Sequence, residues 1–257
     1  LPGSGTCSAM FTACTMSSVV EAMGMSLPGT ASTPAATRED VRSVTDKKRE
    51  DCAAVAAALF ALAEKGVSTR KIITKEALEN ATAVVYALGG STNAVLHILA
   101  IAHEAGVSPD QFNIEDFHRV GQKVPLIGNL SPHGRYHMSD LDHIGGVPVV
   151  MRELLDHGLI HGSCLTVTGR TVAENLAGTP AVAALGMQDV LYSVERPLSA
   201  AGNHITVLHG NLAPESAVCK LSGKTDVSLT GPARCFDDED QAFEAIMAGR
   251  IQKGDVL

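Results

Sequence analysis

Glycine punctuates the first part of this chain at Gly24, Gly66, Gly89-Gly90 and Gly106, each at the end of a run rich in Ala, Leu and Val. Glycine reaches the left-handed backbone conformation that closes a helix at little steric cost. The spacing therefore predicts a succession of helices of ordinary length. They run from about Ser8 to Met23, Asp46 to Lys65, Thr74 to Leu88, and Ser91 to the residue before Gly106. Thr74 and Ser91 offer capping oxygens at two of these starts. Val95, Ile98, Leu99 and Ala102 form a core-facing stripe with helical spacing.

Further helical pieces are predicted at Ile114–Val120, Ser139–Ile144, Pro148–His157 and from Thr171 to Leu176. Between them, Val124–Ile127 and Leu165–Thr168 are short, apolar or β-branched, and are predicted as strands. Strands alternating with helices imply an α/β class, here a layered, helix-rich N-terminal domain over residues 1–190. The character then changes. A stretch at 191–203, with Pro197 and Gly202, is expected to be a linker. Ile205–Leu208, Ala217–Leu221 and Val227–Leu229 are short β-rich segments, interrupted by one helix near Glu239–Ala248. Residues 204–257 are thus expected to begin a β-rich, barrel-like domain. Leu1 is not preceded by Met, and Lys253–Leu257 resembles a strand cut at its start, so both ends are expected to be internal.

The formal charge of −8 excludes a general nucleic-acid binder, which needs clustered Lys and Arg. The longest basic run, Lys47-Lys48-Arg49, is flanked by Asp46, Glu50 and Asp51 and is expected to be a solvated helix face. No apolar run reaches the length of a membrane span. Six cysteines stand at 7, 14, 52, 164, 219 and 235 without a CxxC pair, the usage of a cytoplasmic or organellar protein with mostly buried thiols.

Cys7 follows glycine-rich Pro2-Gly3-Ser4-Gly5 and is expected at the mouth of the first helix. There, unpaired N–H groups and the positive dipole end favour a thiolate, the form that binds iron. An inert buried cysteine is the alternative. Cys14, seven residues on, would lie on nearly the same helix face but ~10 Å away, too far to share a metal, and is expected to be packing. His133, His137 and His143 lie in a turn-rich segment without a convincing further ligand, which argues against zinc. Asp237–Asp240 is expected to be a dipole-stabilised helix start rather than a metal site.

The run Leu1–Met16, continued through Glu21–Gly29, resembles the signature of the dihydroxy-acid and sugar-acid dehydratase family. Ala87–His97, Leu165–Gly169 with Thr171–Asn175, Gly210–Pro214, Gly231–Arg234 and Gly254–Val256 resemble further blocks of that family, in order. The resemblance implies that Cys7 is one ligand of an iron–sulfur cluster, [2Fe–2S] or [4Fe–4S]. It also implies that the remaining cluster ligands, the Mg²⁺ ligands and the catalytic serine lie in segments outside this sequence. No catalytic side chain is then expected here. Cys14 stands where the family usually has Asn. Ser91, Thr92 and Asn93 become either a pocket wall near substrate or cluster, or a helix cap, and His97 a core or supporting histidine. The implied activity is conversion of a 2,3-dihydroxy acid to a 2-oxo acid, in branched-chain amino-acid biosynthesis, by a homodimer. It would be cytoplasmic, or mitochondrial or plastid in a eukaryote. Sugar-acid dehydration and a catalytically incomplete homologue remain the alternatives.

Overall fold

A computed structural model describes residues 7–37, 40–221 and 228–257. The chain divides into two compact units, Leu1–Gly223 and Lys224–Leu257.

In the first unit, α1 (Thr12–Ala22) is followed by α2 (Asp46–Glu64), α3 (Thr69–Ile72), α4 (Lys75–Leu88) and α5 (Asn93–Ala105). Then come α6 (Ile114–Gly121), α7 (Met138–His143), α8 (Gly146–Asp156), α9 (Val172–Leu176) and a 3-10 turn at Val182–Ala184. An antiparallel hairpin, β1 (Ile205–Gly210) and β2 (Ala213–Lys220), completes it. The second unit holds α10 (Glu239–Met247) and a bridge between Ala233 and Val256.

The core is built around α4. Eleven of its fourteen residues are buried, so it has almost no solvent face and must be surrounded. Helices α1, α5, α6 and α8 pack on it. Alanine at 77, 81, 83 and 87 lets these neighbours approach closely. Thr74 caps α4 by accepting from the Ala77 N–H at 3.3 Å, and Gly89 ends it at φ +73°. At the next residue, Gly90, a Cβ would lie 2.8 Å from Cγ2 of Thr15 on α1, so a side chain there would force α1 away.

The expected α/β layering and barrel are corrected by the structure. Val124–Ile127 is buried and extended, yet Leu126 and Gly128 make only isolated bridges, to Ser199 and Leu191. Leu165 bridges Thr171 alone. These segments find their backbone partners in turns and loops and, for Ile127 and Gly128, in the Ala87 carbonyl of α4, rather than in a neighbouring strand. Among the described residues the only sheet is the β1–β2 hairpin, registered Ile205 to Lys220 and Val207 to Val218. Two strands cannot close on themselves, so there is no barrel here. Ile205 and Val207 instead point inward, and β1 packs on α6. Residues 228 and 229 are not in a strand, and Val227 lies outside the described residues.

Candidate metal-binding site around Cys7

The first helix begins at Thr12, four residues later than its sequence pattern predicts. Two long-range backbone bonds hold the preceding stretch in place. Met10 N–H donates to the Ser131 carbonyl at 2.7 Å, and Met138 N–H donates to the Ser8 carbonyl at 2.8 Å. Cys7 consequently precedes the helix, and the chain turns back so that Cys14, in the first turn of α1, meets it. The two Sγ atoms are 3.7 Å apart, and the Cys14 thiol donates to the Cys7 carbonyl. The expected separation of about two helical turns is thus wrong, because the rise per residue applies only when both residues are helical. Pro2–Gly5 lies outside the described residues.

Cys7 and Cys14 line a cavity of about 290 Å³ together with Ser17, Ser32, Lys48 and Ser139. Cys14 is buried and Cys7 half-buried, so Cys7 is the more accessible thiol. Beside the cavity is the turn at Leu27–Ala31, whose Thr30 and Ala31 line it. This turn is fastened by Glu21, whose two carboxylate oxygens accept from Gly29 N–H at 2.7 Å and Ala31 N–H at 2.9 Å. Lys48 Nζ donates to the Thr30 carbonyl at 3.0 Å, and Ser32 Oγ to Asp142 at 3.0 Å. Burial pushes the Glu21 carboxyl up to about 7 despite the two amides that favour its charged form.

Ser91 and Asn93 join α5 to the start of α1. Ser91 N–H donates to Thr15 Oγ1 at 3.0 Å, Asn93 Nδ2 to Thr12 Oγ1 at 2.8 Å, and the Thr12 and Ser91 hydroxyls are 3.2 Å apart. Ser91 Oγ also accepts from Asn93 N–H at 3.2 Å, while Thr92, the residue before α5, makes no side-chain cap bond. Thr92 is half-buried, and His97 is exposed on α5. None of these four lines the cavity at Cys7. Lys48, which lines the cavity, and Glu21, which fastens the adjoining turn, are residues that sequence reasoning missed. Lys48 sits in the run expected to be a solvated face.

A second polar cluster lies where α4 ends. His204 Nε2 is 3.0 Å from the Gly90 carbonyl, and Lys220 Nζ donates to the Gly89 carbonyl at 3.3 Å. Burial drives the His204 imidazole down to about 3, helped by nearby Lys220.

A half-buried cysteine beside a cavity has the donor chemistry that a metal–thiolate bond needs. Among the described residues no group of three His, Cys, Asp or Glu converges, so a metal here would need ligands from elsewhere. Structure and site together define a helical scaffold with two neighbouring thiols beside a cavity.

Comparison with known proteins identifies the scaffold. The family model described as dihydroxy-acid/6-phosphogluconate dehydratase N-terminal matches residues 1–175, and its C-terminal counterpart matches 189–257. The chain belongs to the dihydroxy-acid/6-phosphogluconate dehydratase family. It is 48% identical over 257 residues to the dihydroxy-acid dehydratase of Methylococcus capsulatus, covering all of this chain and 43% of that protein. It is 50% identical over 257 residues to the dihydroxy-acid dehydratase of Mycobacterium leprae, again covering the whole chain and 43% of the relative. A dihydroxy-acid dehydratase 2 of Staphylococcus saprophyticus is 50% identical over 256 residues, with the same coverages. The chain thus spans less than half the length of the curated relatives it matches. No helix among the described residues is long and apolar enough to cross a membrane.

Proposed function

We propose that this chain is part of a hydro-lyase that converts a branched 2,3-dihydroxy acid to a 2-oxo acid, with Cys7 as one protein ligand of its iron–sulfur cluster. The observation that carries this reading is the match along the entire chain, at about half identity, to proteins named dihydroxy-acid dehydratase. The thiol of Cys7, half-exposed on a cavity of about 290 Å³, supports the ligand role. When bound, such a cluster supplies a Lewis-acidic iron for the departing hydroxyl.

This chain's own residues position that ligand. The Met10–Ser131 and Met138–Ser8 backbone bonds fix the segment carrying Cys7. Thr12, Ser91 and Asn93 tie the first turn of α1 to α5, so the helix start cannot drift from the thiol. Glu21 and Lys48 bond the backbone of the Gly29–Ala31 turn, which fixes Thr30 and Ala31 at the cavity's edge. The remaining cluster ligands, the Mg²⁺ ligands and the base that removes the C2 proton are assigned to other parts of the enzyme, and a homodimer is its expected assembly.

The test uses the full-length protein containing this chain, purified without oxygen. Iron and inorganic sulfide are measured together with 2-oxo acid release from a branched dihydroxy acid and from a sugar acid. Cluster content and turnover of the branched substrate are expected, with iron lost in Cys7→Ser. Turnover of the sugar acid alone would move the substrate class. A complete cluster in Cys7→Ser would overturn the ligand assignment.

A further inference from the structure

We propose that Cys7 and Cys14 act as a pair, two thiolates placed to bind the same metal ion. The inference rests on Cys7 being a metal-binding thiolate and adds a second sulfur that the proposed function does not use. Its warrant is geometric. Two sulfurs bonded to one tetrahedral ion at about 2.3 Å each are separated by roughly 3.8 Å. Sγ of Cys7 and Sγ of Cys14 are 3.7 Å apart. That is the bite of a chelate, whereas a disulfide would need the sulfurs at about 2.0 Å.

The pair is also held and exposed in the way a chelate requires. Cys7 and Cys14 both line the same cavity of about 290 Å³, which offers room for an ion beside the pair. Cys14 is anchored by α1, and its thiol bonds to the Cys7 carbonyl, which ties the two residues together. Cys7 is in the loop before the helix and half-buried, its thiol donating to the Ala9 carbonyl at 3.4 Å, a weak bond that a metal–sulfur bond would replace. Binding would release the thiol protons to solvent and replace the Cys14 S–H bond with a metal–sulfur bond. An ion held by both sulfurs has one position fewer for water or substrate than an ion held by Cys7 alone.

The experiment uses Cd²⁺ as the probe, because its thiolate charge-transfer absorption reports how many sulfurs are bound. The full chain is reduced, stripped of metal and kept without oxygen. Cys52, Cys219 and Cys235 are replaced by Ser to remove competing accessible thiols. One Cd²⁺ per chain with two-thiolate intensity is expected. Cys14→Asn should halve that intensity and weaken Cd²⁺ binding about a hundredfold or more. Cys14→Ser, which preserves size and a hydroxyl donor for the Cys7 carbonyl, should do the same, so a packing defect cannot imitate the result. If Cys14→Ser binds Cd²⁺ as the parent does while Cys7→Ser does not, the pair is overturned and the Cys7 reading stands. If neither substitution matters, both are overturned.

Discussion

Asn80 and His161 bond to each other twice across the core, the Asn80 amide donating to the His161 carbonyl at 3.0 Å and accepting from its N–H at 2.7 Å. Asn80 is fully buried on α4, where an unpartnered amide would be costly. Its side chain thus completes the backbone pairing of a loop residue whose own neighbours make no strand.

Replacing Asn80 by Ala removes both bonds and leaves the His161 N–H and C=O without their partners. The expected loss is about 1–3 kcal/mol of unfolding free energy, that of two hydrogen bonds whose His161 ends water can reach. Urea unfolding of the two proteins measures it. A loss below about 1 kcal/mol would show that His161 finds other partners.

At Gly90 the test is steric. A Cβ there would stand 2.8 Å from Cγ2 of Thr15 and 3.0 Å from Cγ1 of Val85. Gly90→Ala should destabilise by about 1–3 kcal/mol through overpacking. Gly90→Ala combined with Thr15→Ser, which removes the nearest methyl, should recover part of that loss. Additive losses in the double variant would place the strain elsewhere.

Glu21 gives stability a pH dependence of known sign. Its carboxyl is raised from 4.5 to about 7 in the folded chain, first by burial and also by Asp51, with the Gly29 and Ala31 amides and Lys48 opposing. Below about 4.5 both folded and unfolded forms are protonated and the full contribution is present. As pH rises from about 4.5 to 7 only the folded form keeps the proton, so this contribution falls, then levels. The difference in unfolding free energy between the parent and Glu21→Gln should therefore shrink or reverse across that interval, by up to about 3 kcal/mol. A pH-independent difference would refute the raised carboxyl.

His204 works in the opposite direction. Its imidazole is lowered from 6.5 to about 3, chiefly by burial, so the folded chain keeps it neutral. The stability it contributes is complete above about 6.5 and is lost as pH falls toward 3, because the unfolded chain takes up the proton first. Relative to His204→Gln, the parent should lose stability on acidification through that window. Proton resonances of the ring offer a direct check: a titration midpoint near 6 would refute the assignment.

Much of the helical order is legible in the sequence because its signals are local. Thr74 before α4 and Thr171 before α9 are capping oxygens, and each does accept from the backbone three residues on. Gly24, Gly66, Gly89 and Gly106 do take positive φ where helices end. The start of α1 is not legible, because Ser131 and Met138, more than a hundred residues away, decide where Ser8–Met10 lies. The same bonds bring Cys7 back to Cys14, so the thiol pair has no local signature. Val124–Ile127 misleads for a related reason: burial and β-branching mark extended chain, and whether a strand lies alongside is settled elsewhere.

Among the described residues no third strand pairs with the hairpin, and this has a consequence for handling the protein. Each strand of a two-stranded ribbon pairs along one side and leaves a row of donors and acceptors along the other, a ready template for another chain. At the start of β2, Pro214 and Glu215 interrupt that row with a missing N–H and a charge, whereas Ser216–Cys219 carries neither guard. Concentrated stocks should therefore begin to precipitate by strand addition at Ser216–Cys219, and a lysine placed there would prolong their shelf life.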